Sequence, residues 1–175
     1  MSSIKRFGFS KKTLLVSIVT IVILAGGMIA FLDYQLNNNG NSENSTSNNV
    51  DAPKYETVLP SGKSIDALGG WSRISPPEND PVYAFTDTVN GISVNVSEQP
   101  LPQSFKGKVD TEVAEIAKKF NATSTLDANG TKVYIGTSAK GPQSLIFVKN
   151  NLLILIKSQQ KIDDSTWIEY VTSLN

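Results

Sequence analysis

Cysteine and histidine are both missing from the 175 residues. Without cysteine there is no disulfide, no thiolate metal site, no Cys nucleophile and no lipobox for a lipid anchor. Without histidine the chain lacks the usual general base, the commonest zinc ligand and the middle member of a Ser-His-Asp triad. An excess of either charge is missing too: 16 basic residues face 16 acidic ones. That balance gives no electrostatic footprint for nucleic acid or for a strongly charged substrate.

Long apolar runs are scarce except at the N-terminus. Thr13 to Leu32, "TLLVSIVTIVILAGGMIAFL", carries no charge over its 20 residues. At roughly 1.5 Å of helical rise per residue, it matches the thickness of a bilayer core. Lys5, Arg6, Lys11 and Lys12 precede it and Asp33 follows. The positive-inside rule then puts residues 1–12 in the cytoplasm, a transmembrane helix over 13–32 and everything after it outside. The chain is therefore expected at the cell membrane, spanning it once. A cleaved signal peptide is the rival reading, with Ala25-Gly26-Gly27 as the small-residue site. The apolar run continues through Met28-Ile29-Ala30-Phe31-Leu32, which favours an uncleaved anchor. Gly8-Phe9 before an apolar helix also resembles a type IV prepilin leader, but Thr13 stands where pilins carry Glu, and Lys11-Lys12 interrupt the helix start.

Asn37 to Asn49, "NNNGNSENSTSNN", can bury no apolar surface, so residues 33–60 read as a disordered tether. As a flexible coil it spans roughly 30 Å. Residues 61–175 then form the extracytoplasmic domain. Asn90-Gly91 and Asn129-Gly130 are strong type I′ turn signals, each between alternating strands. A two-residue turn sets the register. It pairs Val89 with Ile92, Phe85 with Val96 and Tyr83 with Glu98 in the first hairpin, and Asp127 with Lys132 and Leu126 with Val133 in the second.

"SLIFVKNNLLILIKS", Ser144 to Ser158, is the most apolar run outside the N-terminus. Its blocks are too short for a helical span, and Asn150-Asn151 can turn, so it reads as a third hairpin. Phe147 faces Ile154 and Leu145 faces Ile156 on one side; Val148 faces Leu153 and Ile146 faces Leu155 on the other. Both faces are apolar, as expected of central strands covered twice, or of one face left for a partner. "DTEVAEIAKKF" and "IDDSTWIEYVTSL" have helical spacing. Asp110 is the candidate N-cap of the first; Asp163 or Asp164 caps the second, with Ile168, Val171 and Leu174 pointing inward. The expected fold is α+β: about six antiparallel strands in three hairpins with two helices packed on them, preceded by the transmembrane helix.

"WSRISPPENDPVYAFTDTVNGISVNVSEQPLP" and "VYIGTSAKGPQSLIFVKNNLLILIKS" resemble single-pass membrane proteins of ultra-small Patescibacteria, the Saccharibacteria in particular. The last third also resembles, more distantly, the DUF4367-type domains of bacterial envelope proteins. These resemblances imply a bacterial envelope setting. They imply no activity and carry over no catalytic residue.

No enzymatic constellation emerges from the residues. Glu112 and Glu115 share a helical turn with Lys118 and Lys119, as on a solvated face. Asp163-Asp164 is explained as a cap, and Thr137-Ser138-Ala139-Lys140 lacks the S-x-x-K spacing of a Ser-Lys dyad. Gly69-Gly70 is not followed by a phosphate-loop pattern, and Asp127-Ala128-Asn129-Gly130 lacks the remaining ligands of a calcium loop. No catalytic, cofactor-binding or metal residue is expected, and no nucleic-acid partner. The expected function is a non-catalytic envelope protein that binds or scaffolds another component. A minor pilin-like subunit is the alternative and a small envelope enzyme the third reading. Besides the membrane, the expected partner is an envelope protein or an apolar ligand. The candidate contact residues are Trp71, Ile146, Val148, Leu153 and Leu155.

Overall fold

Three turns organise the chain, and all three use left-handed backbone. Asn90-Gly91, Asn129-Gly130 and Asn150-Asn151 have positive φ at both central positions. That geometry matches the right-handed twist of the flanking strands and fixes each register. The observed registers are those that the turns predict. Val89 pairs with Ile92 and Tyr83 with Glu98, Asp127 with Lys132, and Phe147 with Ile154 and Val148 with Leu153.

The computed structural model describes residues 52–138 and 141–175. The expected transmembrane helix, the basic N-terminus and most of the tether lie outside the described residues. Among the described residues, no helix is long and apolar enough to cross a membrane. The strands are β1 (Ser72–Arg73), β2 (Tyr83–Val89), β3 (Ile92–Pro100), β4 (Ala122–Ala128), β5 (Thr131–Ser138), β6 (Gly141–Lys149) and β7 (Leu152–Ser158). The helices are α1 (Val109–Lys119) and α2 (Asp164–Ser173). All seven strands join one antiparallel sheet in the order β1-β2-β3-β7-β6-β5-β4. The class is α+β, with seven strands rather than about six. The additional strand is β1, two residues that the Gly- and Pro-rich entry segment adds beside Tyr83 and Ala84.

The third hairpin sits at the centre because both of its faces need cover. β7 pairs with β6 on one side and β3 on the other. One face carries Phe85, Val96, Leu145, Phe147, Ile154 and Ile156 beneath Trp167, Val171 and Leu174 of the C-terminal helix and its end. The opposite face carries Ile146, Leu153 and Leu155 beneath Phe105 and Val113, Ile116, Ala117 and Phe120 of the α1 region. Fully burying a side chain of this size stabilises by about 1.5–3 kcal/mol relative to exposing it. These two layers therefore supply the main favourable term.

The helices depart from expectation at one end and at one face. Helix α1 begins after Lys108, which donates no side-chain cap, and Asp110 lies inside the first turn. There its carboxylate and that of Glu112 face the positive end of the helix dipole. Asp163 does cap α2, accepting from the Thr166 amide at 2.9 Å. Ile168, expected to point inward, is the large hydrophobic residue that α2 leaves exposed, and Tyr170 takes an inward position instead.

Residues expected at the end of the tether are instead laid across the sheet. Val58 is fully buried. Leu59 exchanges backbone hydrogen bonds with Asn175 at 3.0 Å each way, and the Ser61 amide donates to the Ser173 carbonyl. The strip from Tyr55 to Leu68 thus closes the face that α2 leaves open, because Tyr55, Val58, Leu59, Ile65 and Leu68 all pack on that core.

Candidate functional site

The five candidate contact residues do not form one surface. Ile146, Leu153 and Leu155 are buried under α1, and Val148 beside them is half-buried. Trp71 lies on the other face, half-buried. Its ring meets Phe85 edge-on with centroids 5.4 Å apart, and Tyr83 at 6.2 Å. Such T-shaped contacts are favoured by the ring quadrupoles, and here they hold Trp71, just before β1, onto β2.

Polar groups inside the core are engaged in holding elements together. Gln143 on β6 accepts from the Trp167 indole at 3.0 Å and from the Ile162 amide at 2.7 Å. Its own amide donates to the Ile162 carbonyl at 3.0 Å. Asp87 accepts from Lys63 Nζ at 2.5 Å, from the Tyr170 hydroxyl at 3.1 Å and from the Thr88 amide at 2.7 Å. Burial and the neighbouring Asp87 charge both push the Tyr170 hydroxyl up. Lys149 Nζ donates to the last carbonyls of α2, Val171 at 2.7 Å and Thr172 at 3.3 Å. Its pKa is lowered by desolvation.

Glu98 is the strongest anomaly. It is fully buried opposite Tyr83 and Ile154. One carboxyl oxygen accepts from the Val58 amide at 3.2 Å. The other is buried with no hydrogen-bond partner. Desolvation raises the carboxyl from 4.5 to about 7, against the lowering effect of the Val58 amide. Tyr55 covers the same residue, donating to its backbone carbonyl at 2.9 Å.

An accessible recognition feature lies at the opposite end of the sheet. β4 is the last strand in the order, so no strand pairs with its outer side among the described residues. Thr123, Ser124, Thr125 and Asp127 are exposed and Leu126 is half-buried. Ala128 and Thr131 flank a two-residue turn and therefore exchange hydrogen bonds with each other. By alternation, the backbone N–H and C=O of Thr125 and Asp127 point away from β5, toward solvent. Natural edges are normally blunted by Pro, by Lys or by a bulge. β4 has neither Pro nor Lys, and its one register shift lies at its start, between Ala122 and Ser124. At the other edge, β1 is two residues long, pairs with Tyr83 and Ala84 of β2 only, and runs into the Ser75–Pro81 loop. Arg73 pins that loop by donating to the Pro76, Pro77 and Asn79 carbonyls.

Beside β4 runs a groove of about 330 Å³, open to solvent, between Ala114, Ala117 and Lys118 of α1 and Ala122–Thr125 with Tyr134. Lys118 at its rim pairs with Glu115 at 2.6 Å. Lys132 stands over the Tyr134 ring, 4.9 Å from its centroid. An exposed edge beside a groove can accept an extended segment through main-chain hydrogen bonds, with alternate side chains entering the groove. Among the described residues, no group of three or more acidic, His or Cys side chains is placed to hold a metal ion. Edge position is not encoded in the local sequence. Its one signal is "TSTLD", polar on the face of Thr123, Thr125 and Asp127, which are all exposed, while Leu126 turns to the core.

No family model, curated protein or solved structure matches the chain.

Proposed function

We propose that this chain is a membrane-anchored, extracytoplasmic, non-catalytic protein that binds or scaffolds another component of the cell envelope. In this reading residues 13–32 hold it in the membrane and the folded domain presents β4 as its recognition edge. The observation that carries the binding role is the run Ser124–Ala128, which pairs with β5 on its inner side and with no strand on its outer side among the described residues, beside the α1 groove. The buried polar residues argue in the same direction, because Gln143 and Asp87 spend their side-chain contacts on the fold.

A photo-activated cross-linking side chain at Thr125 in the full chain, expressed in its native envelope, tests this. The same group at Thr86, exposed on β2 at the other side of the sheet, serves as comparison. Discrete adducts are expected from Thr125 and not from Thr86. Equal adducts from both sites, or none from Thr125, would remove β4 as the recognition edge. Protease added from outside to cells with a permeabilised outer boundary should digest the domain and leave the anchor. Protection of the domain would defeat the proposed orientation.

A further inference from the structure

We infer that the occupant of the β4 edge is the β4 strand of a second copy, paired antiparallel about a two-fold axis at Leu126. This rests on reading β4 as the recognition edge and names its partner. The regular part of the strand is Ser124–Ala128, since the register shift ends at Ser124. Leu126 is the middle residue of those five. A two-fold axis there sets Leu126 opposite Leu126 of the other copy, Thr125 opposite Asp127, and Ser124 opposite Ala128. Thr125 and Asp127 are the residues whose backbone groups point outward. Each Thr125–Asp127 pair can therefore exchange both main-chain hydrogen bonds, which an antiparallel hydrogen-bonded pair requires.

The side chains agree with that register. Asp127 never meets its own copy, so no like charges stand directly opposite. It arrives beside Thr125, which lines the α1 groove together with Lys118, so the carboxylate comes toward the Lys118–Glu115 pair at the rim, where the Lys118 ammonium can be shared. On the other face, Leu126 is half-buried against the main core. Its counterpart would cover the remaining apolar surface in a non-hydrogen-bonded pair, where opposite Cα atoms approach to about 4.5 Å. The paired edge is small, well below the roughly 1,000 Å² of a freestanding stable interface. Association is therefore expected to be weak for the detached domain. Anchoring in one membrane raises the effective concentration and favours the pair, as in other tethered systems.

The chain has no cysteine, so a single introduced thiol can link two copies only through the same position in each. Full-length protein in membranes is oxidised gently and the disulfide-linked dimer measured. Leu126→Cys should give a dimer. Thr125→Cys should not, because the two thiol-bearing residues would be displaced by two positions, about 8 Å between Cα atoms and beyond disulfide reach. Mixing Thr125→Cys with Asp127→Cys should restore the dimer with Leu126 intact, which guards against misfolding of the Leu126 variant. Thr125→Pro, combined with Leu126→Cys, removes an outward N–H and should abolish the dimer. Failure of both Leu126→Cys and the mixed pair to cross-link, or equal cross-linking by Thr125→Cys alone, overturns the self-pairing. If photo-adducts from Thr125 then contain other proteins only, the recognition edge survives with a different occupant. If Thr125 gives no adducts at all, both readings fall.

Discussion

The Val58 amide donates to the carboxyl of Glu98 across 3.2 Å, joining the segment that enters the domain to the third strand of its sheet. The second carboxyl oxygen is buried without a partner. Burial of this kind favours the protonated acid, and the group rises from 4.5 to about 7. Between those two values the folded chain holds a proton that the unfolded chain has released. Stability contributed by this site is therefore fully present below about 4.5, declines as pH rises, and levels off above about 7. The span corresponds to on the order of 3 kcal/mol. Chemical denaturation from pH 4.5 to 8 should show the decline, and Glu98→Gln should flatten it. An unchanged slope in the variant would assign the pH dependence elsewhere.

Gln143 answers two donors and one acceptor of the C-terminal region with a single side chain. Gln143→Ala would leave the Trp167 indole and the Ile162 amide facing apolar surroundings. Each unsatisfied buried group costs about 1–3 kcal/mol. A loss of roughly 3 kcal/mol or more is expected in urea unfolding, with a red-shifted Trp fluorescence from Trp167. Gln143→Glu should be similarly damaging, because a carboxylate cannot donate to the Ile162 carbonyl. Wild-type stability in both variants would show that the clamp carries no weight.

At Gly136 the chain passes so close to the end of α1 that a Cβ would lie 2.3 Å from the Phe120 carbonyl oxygen and 2.9 Å from the Ala122 nitrogen. Both obstacles are backbone, so neither can swing aside. Gly136→Ala should therefore push α1 off β5 and cost about 1–3 kcal/mol, as overpacking does elsewhere. Hydrogen exchange should show α1 amides opening earlier, while β2 and β3 stay protected. Unaltered exchange in α1 would count against the close approach.

Turn chemistry made the local pairing legible. Asn90-Gly91 and Asn129-Gly130 determine their hairpins because two central residues with positive φ leave one register. Strand order is a different matter. Pairing β3 with β7 joins residues 58 positions apart, such as Ser97 and Leu155, and no turn encodes it. The requirement that β7 be covered on both faces and both edges selects it. The end of the tether was misplaced for a similar reason. Tyr55, Val58 and Leu59 have too little apolar surface to fold alone, and they become ordered only against a sheet that already exists. β4 became a candidate site by the same logic: its composition is readable, its position at the edge is not.

The face of the third hairpin opposite α2 gives a graded test of how far α1 covers it. Leu155 is 3% exposed and Ile146 4%, whereas Val148 is half-buried at the margin of the same cluster. A charge at Leu155 would be buried without a partner, so Leu155→Asp should prevent folding. Val148→Asp places its carboxylate at the rim, where water reaches it, and should leave a folded domain of reduced stability. Phe147 and Ile154 are fully buried on the other face. Their truncation to Ala should cost about 2–5 kcal/mol, the range for large-to-small core changes. Circular dichroism and urea midpoints across the four variants should rank Leu155→Asp worst, the two Ala truncations next and Val148→Asp mildest. If Val148→Asp unfolds the domain as completely as Leu155→Asp, α1 must seal this face to its margin. If both Asp variants stay folded, α1 does not cover it.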